Sequence, residues 1–319
     1  MRVNLTRTRR RALSLLAGVS SLRFLACAAV VRSGRGKGYP APGNIRGMST
    51  EPDPSARAPL SADALSQTLV RPGGLWRSVA VTGVTGSTNA DLLAAAASGA
   101  PEGSVLTAEA QTAGRGRMSR SWQSPPGAAL MFSVLLRPDA VPPARRGWLP
   151  LLAGVAVAAA VRDLTSLDAG LKWPNDVLIG GAKLAGILAE QSSDAIVVGT
   201  GINVTTQRAE LPVPGATSLA LEGAAGTGRA ELLAAVLTGF ERLYLAWTRA
   251  PSPGDPDAAG LRDAYRRHSV TLGRPVRAEF PGGSATTGTA IDIDPDGRLL
   301  LDTPAGPLSV SAGDIIHLR

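Results

Sequence analysis

Arginine outnumbers lysine thirty to three in this chain, so each lysine position is informative. Apart from Lys37, the lysines are Lys172 and Lys183, both inside the stretch LKWPNDVLIGGAKLAGILAE, residues 171–190. An ammonium is a compact point charge whose pKa shifts with its surroundings more readily than that of a guanidinium. The pair therefore reads as chosen for chemistry, with chance retention on a solvated face as the plain alternative. Between them, Trp173-Pro174 biases the backbone towards an extended or kinked form. Asn175 and Asp176 follow, able to hold local backbone or a hydrated cation, and Gly180-Gly181 marks a tight hairpin turn that would return Lys183 towards them. A hairpin with a polar tip would have the same sequence.

A second cluster, AEAQTAGRGRMSRSWQS at residues 108–124, sets Arg115 and Arg117 two residues apart, alternating with Gly114 and Gly116. Arg120 adds a third guanidinium and Trp122 a flat face. Glycines let backbone approach a ligand, and arginine forms charge-assisted, often bidentate bonds to phosphate. Each such bond is worth on the order of 1.5–3 kcal/mol, so two or three could hold an ATP-derived phosphate while the indole covers a purine. The Gly-Lys-Ser/Thr ending of a P-loop is absent. A basic loop touching RNA is the competing reading of this motif alone. Two weaker signals flank these clusters. In GSTNADLL, residues 86–93, Ser87, Thr88 and Asn89 suit a helix N-terminus, with simple capping as the alternative. In GTGIN, residues 199–203, the Gly-x-Gly can mean no more than close packing or a turn.

The elements that must position these residues mix both types. Strands are expected at 104–110 and 129–136, the second strongly apolar. Residues 149–161 read as a buried helix by length and alanine content. Short strands follow at 170–173, 177–179 and 184–190, then another at 195–204. Residues 229–249 carry Leu232, Leu233, Val236, Phe240 and Leu243 at helical spacing, and a short helix is expected over 256–267. After Ser269 the chain breaks into short β segments with Gly and Asp turns, the texture of a small barrel. The fold class is therefore an α/β (α+β) catalytic domain, residues 76–268, followed by a small C-terminal β-barrel, residues 269–319. Residues 48–75, rich in Pro, Ser and Ala, read as a linker, so structure is expected to begin near Trp76 and no helix-turn-helix to precede it.

The formal charge of +8 is unevenly placed. Residues 1–47 hold ten Lys or Arg and no acid, which leaves 23 bases against 25 acids in residues 48–319, a net of −2. The body has no global field to attract nucleic acid or anionic membrane. The first 75 residues are taken as a basic, disordered extension and linker. Translation from Met48 would explain the abrupt change in charge, and a signal peptide is the alternative. The apolar run at 12–31 is too interrupted for a membrane span. Cys27 is the only cysteine, so no intramolecular disulfide can form, which fits a reducing, cytoplasmic setting.

In this order, GSTN, QTAGRGR with Arg120 and Trp122, KWPNDV with Lys183, AGIL and Glu190, and GTGIN closely resemble the biotin–protein ligases, over about Trp76 to Arg319. The resemblance implies the fold shared by biotinyl and lipoyl ligases and class II aminoacyl-tRNA synthetases, with the C-terminal β segments as an SH3-like barrel. It places biotin on Ser87, Thr88, Asn89, Gln111, Arg115, Gly116, Arg117, Lys183 and Gly186. It places ATP or the adenylate on Arg115, Arg117, Arg120, Trp122, Lys172, Asn175, Asp176 and Asn203, with Mg²⁺ near Asp176. Arg117 and Lys183 become the catalytic residues, stabilising charge on phosphate oxygens. The implied reaction joins biotin to ATP as biotinyl-5′-AMP, then passes it to a lysine of a biotin carboxyl carrier domain of an acetyl- or acyl-CoA carboxylase. A lipoate or octanoate ligase is the nearest rival, and a nucleic-acid-binding protein a distant one. The family loop usually reads GRGRxGRxW, whereas this chain has Ser119 where the last glycine stands. No repressor domain is expected, no nucleic-acid or membrane partner, and a homodimer is the candidate assembly.

Overall fold

The computed structural model describes residues 57–318. The expectations for residues 1–56, including the tail, the start at Met48 and Cys27, lie outside the described residues. The lead-in after them is more ordered than its composition suggests. Helix α1 spans Ala62–Leu69, started by Ser61, whose Oγ accepts from the Ala64 amide at 3.3 Å. Leu65 and Leu69, four residues apart, are buried. The following turn is tied down by Glu241, which accepts from the Leu75 amide at 2.7 Å and pairs with Arg71 at 3.2 Å. Structure therefore begins before Trp76, and residues 57–75 are not a free linker. Two leucines among Ala, Ser and Pro make too short a period to stand out in sequence.

A seven-stranded sheet forms the centre: β1 (Ser78–Thr85), β2 (Ser104–Gln111), β3 (Ala129–Leu136), β4 (Ala169–Lys172), β5 (Asp176–Ile179), β6 (Ala182–Ser192) and β7 (Ala195–Asn203). The spatial order is β1-β2-β3-β7-β6-β5-β4, with β1–β2 parallel and the other ladders antiparallel. The edge strand β1, not anticipated from sequence, buries only Val79 among exposed and half-buried residues. Every residue of β3 is buried, because the sheet is covered on both faces. One face carries Leu130, Phe132, Val134 and Leu136 into the main core, which includes α3 (Trp148–Thr165) and α4 (Arg229–Thr248). The other places Leu135 against Leu92 of α2 (Thr88–Ala97). Helix α3, with the turn before it, is long and apolar enough to cross a membrane, yet two-thirds of it is buried inside the protein as a core helix. Helix α5 runs Leu261–His268, a little later than expected.

The C-terminal strands β8 (Pro275–Glu279), β9 (Ala285–Ile293), β10 (Leu299–Thr303), β11 (Gly306–Val310) and β12 (Asp314–His317) form one antiparallel sheet ordered β11-β10-β9-β8-β12. Among the described residues no ladder joins β11 to β12, so the five strands form an open sheet and not the closed barrel expected. Its alternate residues Val276, Ala278, Leu299, Leu301 and Ile315 join the main core. Two buried tryptophans hold it to the catalytic unit: Trp148 Nε1 donates to Pro295 O at 3.0 Å and Trp173 Nε1 to Gly297 O at 3.1 Å. If α1 belongs to the fold as described, Leu69→Ala should lower unfolding free energy by about 2–4 kcal/mol. Urea denaturation measures this; no change would return residues 57–75 to the status of a linker.

Candidate functional site

A cavity of about 330 Å³ opens over the α2 side of the sheet, and all fifteen residues singled out in the sequence line it. Its floor is glycine. Gly186 of β6 lies opposite Gly201 of β7, and Gly199 lies opposite Ser133. The Trp122 indole rests on this floor: a Cβ on Gly201 would fall 2.4 Å from its Cε2, and one on Gly186 would fall 3.2 Å from its Cζ3. A Cβ on Gly199 would strike Asn89 Oδ1 at 2.1 Å. The GTGIN motif is thus glycine-rich because two side chains lie flat on its strand. Those glycines were legible; what they make room for was not.

The GSTN segment begins α2, but Ser87 at the N-cap makes no capping bond. Gln111 Oε1 accepts from the Thr88 amide at 2.8 Å and from its hydroxyl at 3.1 Å. Ser133, which carried no sequence signal, lies 2.7 Å from Thr88 Oγ1 and donates to Asn89 Oδ1 at 2.6 Å. Asn89 Nδ2 donates to Leu188 O at 3.2 Å and to Glu190 at 2.8 Å. Both Asn89 donors are therefore used within the protein, and Asn89 fixes the helix start on the sheet. Asn203 plays a similar part at the far wall, donating to Thr217 O at 2.9 Å.

The arginine segment forms a tight loop. Trp122 N donates to Gly114 O at 2.9 Å and Gly116 N to Arg120 O at 2.7 Å, closing it like a small hairpin. At its tip Met118 and Ser119 both take left-handed backbone angles, φ 53° and 60°. Glycine adopts these without steric cost and serine does not, which gives the departure at Ser119 a physical meaning. Each arginine has a partner. Arg115 pairs with Glu190 at 3.1 Å, so one carboxylate holds both the loop and Asn89. Arg117 donates from Nη1 to Asn175 Oδ1 and from Nη2 to Gly313 O, both at 3.2 Å. Arg120 pairs with Asp314. Burial depresses the Arg117 pKa, Asp176 opposes this and Arg120 adds to it.

The β5–β6 hairpin returns Lys183 as expected, and its Nζ stands 2.6 Å from Asp176 Oδ1. The loop before Thr217 fixes its backbone: Lys183 N donates to Gly215 O at 2.7 Å and Thr217 N to Lys183 O at 2.9 Å. Lys172 makes no ion pair among the described residues. Burial lowers its pKa first, Asp176 partly offsets that, and Lys183 and Arg120 lower it further. The described residues contain no group of three His, Cys, Asp or Glu able to hold a metal. Asp176 would be one ligand of a cation held mainly by phosphate oxygens and water, the usual environment of Mg²⁺ on a nucleotide. Sequence reading missed Glu190 as a clamp, Ser133, Gly313, Asp314 and the Pro212–Val213 wall. Glu190 alone had a signal, lying in the KLAGILAE run.

The biotin/lipoate A/B protein ligase family matches residues 82–206, and the biotin protein ligase C-terminal domain matches residues 271–318. The chain is 46% identical over 267 residues to the biotin–[acetyl-CoA-carboxylase] ligase of Mycobacterium tuberculosis, covering 82% of this chain and 97% of that protein. It is 35% identical over 225 residues to the bifunctional ligase/repressor BirA of Bacillus subtilis, covering 68% of this chain and 66% of that protein. Among solved structures, the biotin protein ligase from Aquifex aeolicus in complex with biotin and ATP superposes with a TM-score of 0.63 at 30% identity, over 76% of this chain and all of that one.

Two outcomes follow from the site's geometry. Gly201→Ala should displace the indole and weaken ligand binding at least tenfold with the fold retained, the cost of about 1.4 kcal/mol or more; titration calorimetry reads it, and unchanged affinity would mean that the floor tolerates a methyl. Lys172 gives a pH signature. The folded protein holds its proton less tightly than the unfolded chain, so the charged lysine costs stability. That cost fades as pH rises towards 10.5, the ordinary lysine value, where the unfolded lysine also becomes neutral. Lys172→Met should therefore raise the melting temperature near neutral pH, with a gain that shrinks as pH rises towards 10.5. A gain that persists unchanged through that range would reflect packing instead.

Proposed function

The chain belongs to the biotin protein ligase family, and from that premise we propose how this cavity carries out ATP-dependent biotinylation of a carrier lysine. The carrying observation is one cavity lined both by neutral polar groups (Ser87, Thr88 and Gln111) and by five cations (Arg115, Arg117, Arg120, Lys172 and Lys183). Biotin needs both: donors and acceptors for its ureido ring, and cations for its carboxylate. Ser87 and Thr88 sit at the positive end of α2. We assign Ser87, Thr88, Gln111 and the Gly186 floor to biotin, with Asn89 acting by fixing the helix start. Arg115, Arg117 and Lys183 lie towards the carboxylate and α-phosphate, and Arg120, Lys172, Asn175, Asp176 and Asn203 line the nucleotide end. Trp122 covers the purine.

The biotin carboxylate attacks the α-phosphate of ATP, the bond to the β-phosphate breaks, and pyrophosphate leaves. The acceptor lysine amine then attacks the acyl carbon of biotinyl-5′-AMP and expels AMP. Negative charge builds on phosphate oxygens in the first step, where Arg117 and Lys183 act as preorganised electrostatic stabilisers. Each is already oriented, by Asn175 and Gly313 O and by Asp176 respectively, so little reorganisation is needed as charge develops. Mg²⁺ would accompany the nucleotide near Asp176. The acceptor is the biotin carrier domain of acetyl-CoA carboxylase. Independence from nucleic acid is part of the same reading, supported by the net −2 of residues 48–319; a cytoplasmic setting and a homodimer are the location and assembly we propose.

Mixing the protein with biotin, Mg-ATP and an unmodified carrier domain should add the mass of one biotinyl group to the carrier, read by mass spectrometry. Lipoate or octanoate giving the faster transfer would replace biotin as the substrate. Arg117→Ala and Lys183→Ala should each keep the fold, read by circular dichroism, and slow biotin-dependent pyrophosphate–ATP exchange by about 10²–10³-fold. Wild-type exchange in either variant would remove that residue from the chemistry.

A further inference from the structure

The C-terminal sheet does more than pack beside the catalytic unit. Its last strand, β12, lies at the sheet edge and among the described residues pairs only with β8, and Asp314, Ile315 and Ile316 line the cavity. Asp314 is ion-paired to Arg120, and the carbonyl of Gly313 accepts from Arg117. The same edge is stitched to the lysine segment. Thr271 Oγ1 accepts from the Trp173 amide at 3.1 Å and lies 3.2 Å from His317 Nε2, while Val270 N donates to Leu171 O at 2.9 Å. The strand's start is seated closely. Gly313 has φ +150°, and a Cβ there would fall 2.6 Å from Glu279 O, so glycine alone brings Asp314 to this point.

Building on the ligase reading above, we propose that Asp314 is a positioning residue for the nucleotide. It holds Arg120 at the cavity mouth so that the guanidinium meets the ATP phosphates. Three observations carry this. Arg120 follows two left-handed residues and its side chain is 61% exposed, so without a partner it would sample many rotamers. The ion pair joins Nη2 to the carboxylate and Arg120 lines the cavity, so its guanidinium sits where an anionic ligand would meet it. A pair this exposed adds little to stability, so its consequence falls on where the arginine points. Asp314 unpaired would repel a triphosphate, whereas paired its charge is offset by Arg120.

The full chain is assayed by biotin-dependent pyrophosphate–ATP exchange. Asp314→Asn should raise the KM for ATP about tenfold, as expected for one displaced charge-assisted contact, while kcat and the KM for biotin change far less and the melting temperature stays put. Asp314→Glu should restore most of the loss. Arg120→Ala should raise the ATP KM similarly, and the double variant Arg120→Ala/Asp314→Asn should be no worse than Arg120→Ala, because the two act as one unit. An unchanged ATP KM in Asp314→Asn overturns the proposal, as do effects that multiply in the double variant. A lowered KM also overturns it, since the carboxylate would then be withholding the arginine. Lack of exchange by the unmodified protein would instead sink the ligase reading, and the inference with it.

Discussion

Five cations converge on one small cavity, and their mutual repulsion is the constraint that the surrounding structure answers. Placing like charges together in a partly buried space costs free energy unless opposite charge and hydrogen-bond acceptors stand close by. Glu190 takes Arg115, Asp314 takes Arg120, Asp176 takes Lys183, and the Asn175 amide and the Gly313 carbonyl share Arg117. These partners come from β6, β12, β5 and the turns beside them, so the electrostatics bind distant chain segments into one site. Lys172 is left without an ion pair among the described residues and carries the expected mark, a depressed pKa. A cavity so provided is poised for a polyanionic ligand, which supplies the remaining negative charge.

A second constraint is space. The sheet is covered on both faces, and the site occupies the face where strand glycines replace side chains. Gly199 and Gly201 let Asn89 and Trp122 lie against bare backbone. This lets a polar helix start and a large aromatic reach the same surface that the apolar strand β3 supports from within. Glycine in a strand normally weakens it; here β7 is held between β3 and β6 along almost its full length, which offsets that weakness.

The family to which the chain belongs pairs a catalytic domain with a C-terminal one, and here the two are joined by bonds that end inside the site. Trp148 and Trp173 clamp the turn at residues 295–297 from one side. Strand β12 reaches the arginine loop from the other. Because both ends of this contact touch residues that line the cavity, the position of the C-terminal sheet and the orientation of the cations are set together.

Much of this was legible from residue order. The strand over 129–136, the helix beginning near Trp148, the Gly180-Gly181 hairpin that returns Lys183, the amphipathic α4 and the β-rich end all follow from periodicity and turn chemistry, which are local. The fifteen residues that line the cavity drew notice in the sequence because rare lysines, glycine-spaced arginines and a family resemblance marked them. Helix α1 was not, since two leucines amid small residues carry too little pattern. Nor were Ser133, Asp314 and the clamp role of Glu190, or the fact that Asn89 and Asn203 act on the protein's own backbone and side chains. Those depend on which strands become neighbours and which edge faces the cavity. Periodicity records how a segment will fold, but an ion pair between residues 120 and 314 exists only once two sheets have been packed, and no local pattern encodes that distance.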